Sequence, residues 1–226
     1  MSIAAKLRPE YLTFTGVDDA TPHGEMGALA REYPIEWGIL FHPTEQGTGR
    51  YPSLSKVAAL LASELRFSAH LCGQHARSVT AGKPLPGDVV TILQRFGRIQ
   101  VNTNERGLEP ERIAKFAGRF GARGIVQCRG LEKFPADRHV DWLFDTSGGR
   151  GLLPDRWPVP SADSSFVGYS GGIGPDTVVA VLEGIAREHP PLLPFWLDME
   201  GGIRSDDRLD LAKCREVCEL VFARES

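Results

Sequence analysis

Short runs of apolar residues recur along the chain, and between them lie stretches whose apolar positions repeat at helical spacing. The runs are YLTFT (11–15), EWGILF (36–41), RFSAHL (66–71), GRIQVN (97–102), GIVQC (124–128), VDWLFD (140–145), SFVGYS (165–170) and PFWLD (194–198). Their length and their β-branched and aromatic content are those of strands. Amphipathic segments lie between them, the clearest being SLSKVAALLASEL (53–65), LEPERIAKFAGRF (108–120), PDTVVAVLEGIA (175–186) and RLDLAKCREVCELVF (208–222). Strand followed by helix, repeated, predicts a parallel sheet, because parallel neighbours need a long crossover between them. Eight such units in 226 residues predict an α/β fold, a (β/α)8 TIM barrel that takes in 1–226 as a single domain. The fifth unit is the weakest: EKFPADRH (132–139) carries a proline and leaves little room, so a degenerate helix is expected there.

Side chains on a strand alternate between its two faces, and here the alternation separates chemistry. Phe67, Ala69 and Leu71 share one face while Ser68, His70 and Cys72 share the other. The same division sets Leu12 and Phe14 against Thr13 and Thr15, Ile99 and Val101 against Gln100 and Asn102, Trp142 and Phe144 against Asp145, and Phe195 and Leu197 against Asp198. In a barrel the outer face meets the helix layer, so the apolar sets are expected outward and the polar sets inward. Thr15, His42, His70, Cys72, Asn102, Gln127, Asp145, Ser170, Asp198 and Glu200 all fall at or just past C-terminal strand ends, where barrel enzymes place their sites. Any one of them could be an ordinary hydrogen-bonded interior group. As a set they predict a polar ligand cavity at that end.

Composition narrows the functions without naming one. Lys and Arg total 26 against 29 Asp and Glu, a net charge of −3, so there is no global positive field to hold nucleic acid. No apolar run approaches the roughly 18 residues of a membrane span, and Met1 to Gly16 has no secretory pattern, so a cytoplasmic protein without a membrane partner is expected. Cys72, Cys128, Cys214 and Cys218 are unevenly placed and read as reduced thiols. Cys214 and Cys218 share a helix face and read as core rather than as metal ligands. No cofactor and no metal is called for. His23, His75, His139 and His189 are expected on the surface, and Asp206 and Asp207 at the start of the last helix.

Two glycine-rich turns carry the sharpest local signal. Val167 to Val178 reads VGYSGGIGPDTV, a strand running through glycines into a helix that Gly174 and Pro175 are expected to open. Unpaired backbone N–H groups and the positive end of a helix dipole suit a phosphate there. The next strand ends in DMEGGIR (198–204). Turns after the seventh and eighth strands form the recurrent phosphate cup of the barrel fold, here Gly171, Gly172 and Ile173 with Gly201 and Gly202.

These residues resemble the phosphoribosylanthranilate isomerases of tryptophan biosynthesis, in order along most of the chain. Gly171-Gly-Ile-Gly-Pro-Asp-Thr-Val178 is similar to the family's Gly-Gly-Leu-x-Pro-x-Asn-Val phosphate loop. Leu143-Phe-Asp-Thr-Ser-Gly-Gly-Arg-Gly151 resembles the strand-six segment, and Asp198 to Ile203 the Asp-Val-Ser-Ser-Gly-Val segment; Asp210 with Lys213 resembles the charged pair beyond it. The resemblance implies Asp145 as general acid, Arg50 as the holder of an aromatic carboxylate, and a phosphorylated small-molecule substrate. An arginine fork suits that planar group.

The departures fall on the reaction centre. Thr15 stands where the family has the cysteine that acts as general base, Glu200 and Gly201 replace paired serines, and Arg204 replaces a glutamate. An alcohol cannot replace a thiol of pKa about 8.5 as a base without help. By position Asp18, Asp19, His70, Cys72 and Glu200 could substitute, although Asp18 and Asp19 also read as loop or helix caps. Three readings follow: a phosphosugar isomerase or lyase working by proton transfer, with Asp145, Arg50 and Glu200 as catalytic candidates; a metal-dependent epimerase or aldolase-like enzyme with His42, His70, Asp145 and Glu200 around one cation; and a phosphate-ligand binding protein without catalysis.

Overall fold

The computed structural model describes residues 7–103, 108–130, 132–145, 152–160, 163–188 and 193–222. Each of the eight apolar runs forms a strand: β1 (Tyr11–Thr15), β2 (Ile35–Phe41), β3 (Phe67–Leu71), β4 (Arg98–Val101), β5 (Arg123–Cys128), β6 (Asp141–Phe144), β7 (Val167–Ser170) and β8 (Phe195–Met199). All neighbours are parallel, and β1 pairs with both β2 and β8, which closes the barrel. Around it lie α1 (His23–Glu32), α2 (Leu54–Leu60), α3 (Gly73–Thr80), α4 (Gly87–Leu93), α5 (Pro110–Gly118), α6 (Val178–Ala186) and α7 (Leu211–Phe222). Two short strands, β9 (Arg204–Ser205) and β10 (Arg208–Leu209), form a hairpin before α7. Asp206 and Asp207 make its turn, both at positive φ, instead of opening the helix. Asp210 takes that task, its Oδ1 accepting from Ala212 N at 3.0 Å and Lys213 N at 3.2 Å.

The strand faces divide as the alternation predicts. Leu12, Phe14, Phe67, Ala69, Leu71, Ile99, Val101, Phe144, Phe195 and Leu197 belong to the large core between strands and helices, with Cys214 and Cys218 buried on α7. Each Leu or Phe buried in this way contributes roughly 1.5–3 kcal/mol. His75 also lies in this layer, buried on α3, against the expectation of an exposed side chain. Between β5 and β6, and again between β6 and β7, no helix forms among the described residues. Phe134 and Trp157 fill the gap instead, edge-on to Phe144 and Tyr169 at centroid distances of 5.3–6.5 Å. The two loops are joined by Phe134 N to Val159 O at 3.1 Å and Val159 N to Glu132 O at 2.9 Å.

Inside, the N-terminal half of the barrel is plugged by charge and aromatic rings. Arg98 bonds Glu36 at 2.9 Å and approaches Asp141 at 3.6 Å, while its guanidinium lies 4.2 Å from the Trp196 ring centre. Trp196 lies against the backbone of Gly168, where any side chain would collide with its indole. This floor leaves the C-terminal half open.

Candidate active site

Above the plug lies a cavity of about 630 Å³, lined from every side of the barrel. Thr15, Arg50, His70, Cys72, Asn102, Gln127, Asp145, Ser170, Asp198 and Glu200 all reach its wall, as do Gly171, Gly172, Ile173, Gly201 and Gly202. His42 does not. The chain leaves β2 in a turn held by His42 N to Gln46 Oε1 at 3.0 Å, and the imidazole packs against Tyr51 at 5.3 Å. Tyr51, Arg77 and Thr103 also line the cavity without having been singled out for it by pattern, and Arg129, expected from the sequence either to reach a carboxylate or to sit in an internal ion pair, lines it too. Arg129 directly follows the fifth strand, a position that already carried the signal.

Two carboxyl groups face the cavity from β8 and from the end of β6. Asp198 is buried and its Oδ1 accepts the Thr15 hydroxyl at 2.7 Å. Burial away from water pushes its pKa up to about 8, and the nearby Glu200 carboxylate adds to the rise, opposed by the Thr15 hydrogen bond. Thr15 fits because Gly38 on β2 has no side chain to meet it. Asp145 is also buried, with Gln127 Nε2 donating to its Oδ2 at 3.3 Å.

Arg50, Glu200 and His70 have settled partners. Glu200 and Arg50 form an ion pair, and Arg50 holds Asp207 at 3.0 Å as well. His70 lies at the cavity floor, bonded to Ser68 Oγ at 3.0 Å and Gln100 Nε2 at 3.2 Å; burial lowers its pKa to about 3, so it is neutral. Gln100 can only donate through Nε2, which assigns the acceptor to His70 Nδ1 and the proton to Nε2. Burial pushes the Cys72 thiol up to about 12, so it is no thiolate at neutral pH. Asp18 and Asp19 do not line the cavity. Asp18 accepts from Leu209 N at 3.0 Å and from Arg204 at 3.4 Å, and Asp19 from Ser53 N at 2.8 Å. Arg204 also donates to Gly16 O at 2.6 Å, tying the loops after β1 and β8 together. Among the described residues no three His, Cys, Asp or Glu side chains come together to hold a metal ion.

The two glycine turns touch. A side chain on Gly174 would meet the Gly202 carbonyl at 2.8 Å, and one on Gly202 would collide with the Ile173 carbonyl. Gly171 and Gly172 sit at φ +108° and +64°, a region L-residues avoid. The backbone N–H groups of Gly171, Gly172, Ile173, Gly201 and Gly202 donate to no acceptor among the described residues. Helix α6 begins at Val178, later than expected: Gly174 N donates to Thr177 Oγ1 at 3.0 Å, in a turn that precedes the helix.

Compared by sequence, no family model and no curated protein matches. Solved structures do. The phosphoribosyl anthranilate isomerase of Thermus thermophilus superposes with a TM-score of 0.64 over 95% of this chain and 100% of its own, at 18% identity. TrpF of Jonesia denitrificans gives 0.62 over 94% and 96% at 15% identity, and the Thermotoga maritima enzyme 0.62 over 95% and 100% at 14% identity. The fold is that of the phosphoribosylanthranilate isomerases. Within that fold the glycine turns and Asp145 share one mouth, where Thr15 and Asp198 form a bonded pair.

Proposed function

We propose that the protein is a phosphosugar isomerase resembling phosphoribosylanthranilate isomerase, acting by general acid and base at the barrel mouth. The observation that carries this reading is the contact between the two glycine turns on the same cavity as Asp145. Their N–H groups, without an acceptor among the described residues, form a nest for a phosphate, and backbone donors bind an anion without the entropy cost of ordering long side chains. The cavity accommodates a sugar phosphate with a ring substituent.

In this reading Asp145 gives its proton to the ring oxygen of an amino-substituted ribose as the C1–O bond breaks, leaving an iminium at C1. A base then removes the C2 proton, the electron pair moves to neutralise the iminium, and the resulting enol relaxes to the ketone. Asp198 is the group we assign to the C2 proton. Burial lifts its carboxyl to about 8, near the basicity a thiol has by nature, so it supplies next to Thr15 what the threonine cannot. Glu200, the alternative by position, is committed to Arg50. Four unbonded cysteines fit a reducing compartment such as the cytoplasm.

The test is turnover of N-(5'-phosphoribosyl)anthranilate by purified protein. Isomerisation that falls by roughly 10²–10⁴-fold in Asp145→Asn is the expected result. Binding of sugar phosphates without turnover at any pH favours instead the binding-protein reading, to which the engagement of Arg50 by two carboxylates lends some support.

A further inference from the structure

Arg50 reaches the cavity wall from the loop after β2 and ends between two carboxylates: Nη1 pairs with Glu200, and Nη2 with Asp207 at 3.0 Å. An exposed ion pair ordinarily contributes little, because two long side chains must be ordered to make it. This one is ordered beforehand. Asp207 sits at φ +56° beside Asp206 at +49°, a region L-residues avoid, in a two-residue hairpin turn of the kind that favours Asn-Gly. Arg204, itself buried, keeps it there: Nη2 donates to the Asp207 carbonyl, Nη1 to Gly16 O at 2.6 Å, and Asp18 accepts from Nη2 at 3.4 Å. Asp18, Arg204, Asp207, Arg50 and Glu200 thus form a row of alternating charge running from the loop after β1 to the cavity.

Glu200 lies two residues beyond Asp198, and both line the cavity. The charged groups that act on Asp198 are Glu200, Glu36 on β2 and Asp145 at the end of β6, all acids, and its hydrogen-bond donor is Thr15 on β1. A carboxyl group among acids gives up its proton late. Glu36 has Arg98 as partner and Asp145 has Gln127, so the charge left for Arg50 to offset is that of Glu200. Resting on the phosphosugar reading, we propose that Arg50 is a positioning residue acting through Glu200: anchored by Asp207, it neutralises the carboxylate beside Asp198 and so lets Asp198 lose its proton and serve as base. Arg50 then touches no substrate, unlike the role that resemblance implies for it.

The test is a carboxyl-carbon NMR titration of the ligand-free protein, with the Asp198 signal assigned through Asp198→Asn, run beside the pH profile of kcat/KM for N-(5'-phosphoribosyl)anthranilate. Arg50→Gln should raise the Asp198 midpoint by on the order of one pH unit, a tenfold change in proton affinity, and carry the kinetic inflection with it. Glu200→Gln should lower both. Arg50→Gln added to Glu200→Gln should move them less far than it does alone, because nothing then holds the guanidinium beside Asp198. Arg50→Lys should stay near wild type, since it keeps the charge; a fork gripping a substrate would not survive that change. Circular dichroism confirms that each variant is folded. A ligand-free Asp198 midpoint that Arg50→Gln leaves in place, or moves equally with and without Glu200, overturns the inference, and turnover by the wild type keeps the phosphosugar reading standing. Absence of turnover in the wild type removes that reading and the inference with it.

Discussion

The hydroxyl of Thr15 donates to Asp198 Oδ1 at 2.7 Å across the seam where the first strand of the barrel meets the last. This single bond joins the residue that departs most from the resembled family to the carboxyl group whose acidity is most changed by the fold. It also gives that carboxyl group a donor that favours its charged form.

Activity should therefore carry an inflection near pH 8, where Asp198 loses its proton. Thr15→Val removes the donor that favours the carboxylate, so the inflection in kcat/KM should move to higher pH. Asp198→Asn should abolish the inflection along with most of the rate. An unshifted inflection in Thr15→Val would separate the observed titration from Asp198.

Stability should show the same group with a definite sign. Unfolded, Asp198 ionises near 3.9; folded, it holds its proton to about 8. Between those values the native state binds more protons than the unfolded chain, so this group's contribution to stability falls as pH rises from about 4 to about 8. Urea denaturation of wild type and Asp198→Asn at pH 5 and pH 8.5 should show the variant gaining relative to wild type at the higher pH.

The glycine turns make a paired prediction. Gly202→Ala drives a methyl group into the Ile173 carbonyl, whereas a methyl group on Gly201 meets nothing within 4 Å. Inorganic phosphate affinity should drop at least tenfold, ~1.4 kcal/mol, in the first variant and change little in the second. Equal losses in both would mean that contact between the turns is not what builds the anion site.

Arg98→Met should destabilise the barrel by roughly 3–5 kcal/mol, since it strands the Glu36 carboxylate in the closed floor, while Asp141 keeps Arg123 at 2.9 Å. Adding Glu36→Gln should restore part of the loss. Chemical denaturation midpoints of the single and double variants measure both effects.

The barrel was legible because inward and outward faces differ in chemistry: Phe67, Ala69 and Leu71 could pack only against helices, and Ser68 and His70 only against other polar groups. The glycine turns were legible because two of them close successive late strands. The lack of a helix among the described residues after β6 was not legible, although Pro154, Pro158 and Pro160 mark that stretch as unsuited to one. The partnerships of the polar residues could not be read at all. Thr15 and Asp198 stand 183 positions apart, and Arg50 and Glu200 stand 150 apart. No local pattern reports which side chains a closed ring will bring face to face, nor how far from water it will put them. His42 shows the converse, a residue at the right strand end whose loop turns it away from the opening.

Gly174 and Gly202 press main chain on main chain, so the proposed anion grip would be made of atoms that every amino acid shares. Replacing neighbouring residues can reshape the remaining rim without loosening that hold. Such a mouth can exchange the cargo it recognises while keeping the handle by which it is seized.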